Sequence, residues 1–200
     1  HLGIDHGIQS HSQVATLCAS LDLGDEYPRV WVLDSYVGGW ATTEDDDAEG
    51  ILSLLERNGI RWSDLDEVRG DRAHHGAPKR KSVAVKSNAL LAKALQRHPR
   101  ARAHGIEAPG KRMSRPIDGA KSGISNTAPA KDFGCTWLHR IMVRDLLVVR
   151  PTCADLVKAI PAYDGRQNTP ESHHIDALRY ALRNLIFTRA ARGELAEVHV

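Results

Sequence analysis

Three short apolar runs crowd into residues 1–37, and their spacing limits the folds open to this chain more than any other feature. Leu2-Gly3-Ile4-Asp5 stops at Gly7, Val14 to Ala19 follows, and Val30 to Val37 comes after the Gly-Asp-Glu-Tyr-Pro turn at 24–28. Strand-type runs this close together, with turn residues between them, favour antiparallel neighbours in a meander. The periodicity then changes. Thr43 is placed to cap a helix whose acidic first turn, Glu44 to Asp47, suits the positive end of the helix dipole. Ile51, Leu52, Leu54 and Leu55 recur at helical spacing, and Asn58-Gly59 ends the helix.

A strand near 66–70 runs into Asp71, followed by a Gly/Pro/basic loop from His74 to Lys81. Ser87 caps a predicted helix from Asn88 to Arg97 with Leu90, Leu91, Ala94 and Leu95 inward. Ala103 to Ala108 is expected as a short fifth strand, and 109–131 as a basic flexible segment, long for a structureless loop inside a compact domain. Cys135 to Val143 reads as helix, Leu146 to Arg150 as strand, and Cys153 to Ala159 as helix. Glu171 to Thr188 is the clearest helix, with Ile175, Leu178, Leu182, Leu185 and Ile186 in one stripe. The order β-β-β-α-β-α-β-α predicts an α/β domain over 1–200. Its mixed sheet has five or slightly more strands, three of them antiparallel before the βα units, with helices on both faces.

The longest aliphatic run, Leu146 to Val149, is far too short to span a bilayer, and no secretory pattern opens the chain, so no membrane role is expected. Cys18, Cys135 and Cys153 are odd in number and widely spaced, which argues for a reducing compartment. A first residue of histidine suggests a piece of something longer. The net charge of +2 hides a division: residues 1–68 hold 3 Lys/Arg against 14 Asp/Glu, and residues 69–131 hold 15 against 3. The basic block is either a solvated loop or a grip on a polyanion, whose phosphates release counterions when neutralised.

Three aspartates stand out by position. Asp5 ends the first strand, Asp71 the fourth, and Asp176 sits in the last helix within Ser172-His173-His174-Ile175-Asp176-Ala177-Leu178-Arg179-Tyr180. With the first strand beside the fourth, Asp5 and Asp71 emerge side by side, and a final helix packed over that edge can bring Asp176 to them. Clustered carboxylates repel one another unless cations compensate, and Mg²⁺ or Mn²⁺ suits such hard oxygen ligands. Two such ions can activate a water and stabilise a leaving 3′-oxygen. Singly, Asp5 and Asp71 also suit turns, and Asp176 a solvent-facing helix position.

The chain resembles the C-terminal nuclease domain of phage large terminase subunits, which have an RNase H-like fold. The resemblance rests on Gly3-Ile4-Asp5-His6-Gly7, Val68-Arg69-Gly70-Asp71, Lys86-Ser87-Asn88, Lys121-Ser122-Gly123-Ile124 and His173-His174-Ile175-Asp176-Ala177-Leu178-Arg179-Tyr180-Ala181, in order over most of the chain. It implies that Asp5, Asp71 and Asp176 are the catalytic, metal-binding residues of an endonuclease cutting double-stranded DNA during packaging. His173, one turn before Asp176, is then a further ligand or proton handler, or simply a surface residue. Lys79, Arg80, Lys81, Lys111, Arg112, Arg115 and Lys121 would grip phosphates without reading sequence. The implied partners are an ATPase domain, the portal and the small terminase subunit, at the procapsid portal in the host cytoplasm.

Complete large terminases also carry an ATPase domain. No Gly-x-x-x-x-Gly-Lys-Ser/Thr occurs here, so the expectation is the nuclease part alone. Zinc lacks Cys-x-x-Cys or His-x-x-x-His spacing, a serine hydrolase lacks its Gly-x-Ser-x-Gly elbow, and Trp31, Trp40, Trp62 and Trp137 read as packing rather than base-stacking residues. Three competitors remain: an RNase H or Holliday-junction resolvase, an actin/hexokinase-like nucleotide-binding domain suggested by Gly3 to Gly7, and a non-catalytic DNA clamp.

Overall fold

A computed structural model describes residues 1–6, 13–39, 42–70, 88–118, 128–166 and 169–186, with the backbone alone at 128–132. Its centre is the predicted meander. Strand β1 (Leu2–Asp5) pairs antiparallel with β2 (Val14–Leu21), which pairs antiparallel with β3 (Arg29–Val37). Helix α1 (Glu44–Arg57) follows, then β4 (Val68–Gly70), α2 (Asn88–Arg97), α3 (Ala128–Val143), β5 (Leu147–Val149), α4 (Ala154–Ala162) and α5 (Pro170–Ala181). β4 lies parallel to β1 and β5 parallel to β3, giving a five-stranded mixed sheet in the order β4-β1-β2-β3-β5.

Alternation along β1 separates the two faces. Leu2 and Ile4 point into a core shared with Ala15 and Leu17 of β2, Ile51, Leu52 and Leu55 of α1, Leu91 and Leu95 of α2, and Trp62. Gly3 faces the other way, against α5. A Cβ there would lie 1.9 Å from the carbonyl oxygen of Ala177 and 2.3 Å from the amide nitrogen of Ala181, so only glycine lets the helix sit directly on the strand. The second core gathers Cys18, Val30 and Val32 of the sheet with Trp137 and Ile141 of α3, Leu156 of α4, and Ile175, Leu178 and Leu182 at α5. Helices therefore cover both faces, as the order of elements predicts.

The cap of α1 forms as expected: Thr43 accepts from the Asp46 N–H, and the Asp46 carboxylate accepts from the Thr43 N–H. Thr169 and Ser172 make the same reciprocal cap on α5.

Some expectations are corrected. Ala103–Ala108 is no strand: residues 101–105 form turns, Gly105 adopts a φ of 70°, and the amide of Ile106 folds back to the Ala101 carbonyl at 2.9 Å. Ile106 is buried in the α1/α2 core, so its hydrophobicity serves a packed turn rather than a sheet. The place beside β4 is touched instead by Asp118, bridged in parallel to Arg69. Helix α3 begins at Ala128, inside the stretch expected as loop, and α5 closes at Ala181 with a further helical turn over 183–186. Residues 109–118 are pinned to the body: Met113 and Ile117 are buried, and the Trp62 indole donates to the Arg115 carbonyl at 3.0 Å.

Candidate active site

Asp5 is the last residue of β1 and lies on the same side of the strand as Gly3, so the close seat of α5 at Gly3 decides what covers it. Ala181, Ala177 and His173 are spaced by four residues along one helical face, which carries His173 over the end of β1. There His173 Nδ1 hydrogen-bonds to Asp5 Oδ2, and both residues are buried, at 6 % and 4 % exposure. With Nδ1–H donating to the carboxylate, the imidazole lone pair sits on Nε2, the arrangement in which a histidine serves as metal ligand or base.

Asp176 stands one turn further along α5. It accepts from the Arg179 guanidinium at 2.9 Å, with both side chains largely buried. Burial works against the Arg179 charge, but the Asp176 carboxylate beside it outweighs this and keeps the guanidinium more basic than usual. Arg179 packs where a Cβ on Gly134 of α3 would come within 2.5 Å of its Cδ. Tyr163, just past α4, is shifted above the usual phenol range by burial first and then by the nearby Cys135 and Asp176. Arg179 thus offsets negative charge beside a buried carboxylate.

Behind Asp5, on the opposite face of β1, His6 is 1 % exposed and bridges two amide side chains. Its Nδ1 lies 3.0 Å from Gln13 Oε1, and its Nε2 lies 2.5 Å from Asn88 Oδ1 at the start of α2. A Cβ on Gly70, the last residue of β4, would fall 1.9 Å from that same Asn88 oxygen.

The structure therefore brings two of the expected residues, Asp5 and His173, into direct contact, and buries His173 rather than leaving it on the surface. Asp176 lies a turn away in its pair with Arg179. Asp71, Lys79, Arg80, Lys81 and Lys121 lie outside the described residues. Lys111 and Arg112 are exposed; Arg115 Nε donates to the Leu65 carbonyl at 2.7 Å and so helps hold its own segment. Among the described residues no group of three His, Cys, Asp or Glu side chains forms a metal cage. The carboxylate oxygens of Asp5 and Asp176 are donors of the kind that Mg²⁺ and Mn²⁺ accept, so the acidic residues present fit such an ion in donor type. Sequence reasoning assigns no role to His6, Gln13, Asn88 or Arg179. The local signals are the position of His6 directly after Asp5 and the spacing of Arg179 one helical turn after Asp176; Gln13 and Asn88 depend on contacts across the fold.

The arrangement is that of a mixed five-stranded α/β domain with an acidic strand end covered by a histidine of α5. Three solved structures of large terminases or their nuclease domains share this fold. The nuclease domain from bacteriophage SPP1, determined with bound Mn, is 19 % identical, covers 92 % of this chain and 84 % of its own, and has a TM-score of 0.54. The P22 large terminase nuclease domain is 16 % identical over 94 % of this chain and 82 % of its own, with a TM-score of 0.57. The large terminase of a thermophilic bacteriophage is 15 % identical over 93 % of this chain but only 38 % of its own, with a TM-score of 0.55. No family model matches the sequence, and no curated protein is significantly similar to it. At these identities the likeness is one of fold.

Proposed function

We propose that this chain is a divalent-metal-dependent endonuclease that hydrolyses double-stranded phage DNA during genome packaging. The observation that carries the proposal is the buried contact between Asp5 at the end of β1 and His173 of α5, in a fold shared with terminase nuclease domains. One of those domains was determined with bound Mn. The last described pair between β1 and β4, Ile4 with Gly70, precedes Asp5 and Asp71 by one residue each, which favours placing Asp71 in the same set.

Asp5, Asp71 and Asp176, with His173, would hold two Mg²⁺ or Mn²⁺ ions. Bound there, such ions supply the charge that lowers the pKa of a water and stabilises a leaving 3′-oxygen. Asp5 orients the His173 ring through Nδ1. Arg179 limits the repulsion that Asp176 adds. Exposed Lys111 and Arg112, together with Lys79, Arg80, Lys81, Arg115 and Lys121, would meet the phosphate backbone, which predicts weak sequence preference and steep loss of binding with salt. An ATPase domain, the portal and the small terminase subunit are the partners proposed for the working motor, at the procapsid portal in the host cytoplasm. Among the described residues no helix is long and apolar enough to cross a membrane.

The test is plasmid cleavage in Mg²⁺ or Mn²⁺. Asp5→Ala, Asp71→Ala and Asp176→Ala should each lower the rate at least about a thousandfold, about 4 kcal/mol of barrier, with the far-ultraviolet circular dichroism of the wild type. Cleavage retained in all three ends the proposal. Duplex DNA should be cut faster than RNA–DNA hybrid or a four-way junction; the reverse order would favour an RNase H or a resolvase.

A further inference from the structure

Three strand ends and one helix start meet at His6, a residue with no part in the chemistry proposed above. Its ring is tied on one side to Gln13, whose own carbonyl accepts from the Gly38 N–H just past β3 at 2.8 Å. On the other side it is tied to Asn88, which begins α2 and lies against Gly70 at the end of β4. His6 and Gln13 are each 1 % exposed, so water does not compete for the bond between them. Side-chain amides can present either an oxygen or an NH₂ to the ring, so this pair of partners satisfies both imidazole nitrogens. The links also reach far along the chain: His6 and Asn88 are 82 residues apart. β1 and β4, by contrast, are joined through only three described residue pairs, ending at Ile4 and Gly70. Two strands this short leave their ends free to splay unless something beyond the last pair holds them.

We infer that the Gln13–His6–Asn88 bridge is a positioning clamp that fixes the separation of the β1 and β4 ends, and through it the Asp5 carboxylate at the end of β1. His6 acts through the backbone, because its side chain leaves β1 on the face opposite Asp5. Gly70 belongs to the device: the absence of a Cβ there is what allows Asn88 to reach His6. The inference rests on the proposed metal-dependent site, since it concerns how that site is held. Supporting groups of this kind commonly contribute tenfold or more to metal affinity.

The experiment measures Mn²⁺ binding to the whole chain by calorimetry, with no DNA present, alongside the thermal midpoint of each variant. His6→Ala and Asn88→Ala should each weaken Mn²⁺ binding about tenfold, and the double variant should be no weaker than either alone, as expected for two halves of one link. Gly70→Ala should match Asn88→Ala, because its methyl group displaces the Asn88 amide. Leu95→Ala, a cavity in the apolar core, serves as control: it should lower the midpoint by as much or more and leave Mn²⁺ affinity within about twofold. Variants that lose thermal stability while binding Mn²⁺ like the wild type would overturn the clamp and leave the metal site standing. A wild-type chain that binds no Mn²⁺ would remove the proposed site and the clamp with it.

Discussion

The two faces of β1 do different work with four residues. On one, Leu2 and Ile4 enter a dry core with α1 and α2, where almost every contact is aliphatic. On the other, Gly3 and Asp5 meet α5, whose buried residues include Ser172, His173, His174 and Arg179 as well as Ile175 and Leu178. The first face tolerates approximate shape, since apolar groups of similar volume exchange at modest cost. The second depends on a close backbone approach and on buried polar groups that must each find a partner, where errors cost more. Both faces carry an apolar core, but only the α5 side also holds the buried polar groups of the proposed site, with one strand serving both.

That division can be broken most severely at Gly3. Gly3→Val places a Cβ against the backbone of Ala177 and Ala181, which cannot move aside without lifting α5. We expect a loss of more than about 4 kcal/mol, seen as a collapsed urea midpoint, together with loss of cleavage. A variant that folds and cuts normally would disprove the tight seat of the helix. On the other face, Leu52→Ala removes a fully buried side chain of α1. It should cost about 2–5 kcal/mol in denaturant titrations, while cleavage well below the melting temperature stays within about twofold. A large fall in cleavage per folded molecule would show that the faces are not separable.

The smallest effect concerns Asp34, a charged group at the edge of the α1 side. Burial opposes its ionisation, but hydrogen bonds from Arg57, Asn58 and the Ser35 N–H prevail and hold its carboxyl below the ordinary range. A carboxyl depressed in the folded state adds stability above its unfolded pKa of about 3.9, and that contribution is lost as pH falls through the folded value. Asp34→Asn should thus cost about 1–2 kcal/mol at pH 7, and the gap between the urea midpoints of variant and wild type should close on acidification below pH 4. A gap that stays constant with pH would assign the effect to packing instead of charge.

Where the chain's own neighbours decide the structure, reading the sequence succeeds. The α1 cap at Thr43, its apolar spacing and the alternation of the meander are all short-range signals, and all appear in the structure. Ala103–Ala108 fails because alternation alone does not distinguish a strand from a turn that buries one isoleucine. The first turns of α3 are hidden by Ala128-Pro129-Ala130, which reads as loop although proline is tolerated in a first helical turn. The site divides in the same way. Asp5, Asp176 and His173 are visible as candidates through position and resemblance, but the Asp5–His173 contact spans 168 residues and the His6 bridge spans 82. Asn88 and Arg179 fall within the motifs of the resemblance, but only the fold shows that Asn88 reaches His6.

The span between Asp5 and His173 also orders events during synthesis. β1 leaves the ribosome well before the helix that completes its polar face, which begins 165 residues after β1 ends. Contacts so remote along a polymer form late and slowly. Under the proposed nuclease function this would be a safeguard: a nascent or prematurely terminated polypeptide lacking α5 would have no assembled centre with which to nick nucleic acid nearby. The capacity to cut would arrive only when translation has passed α5, timed by chain topology without any separate inhibitor.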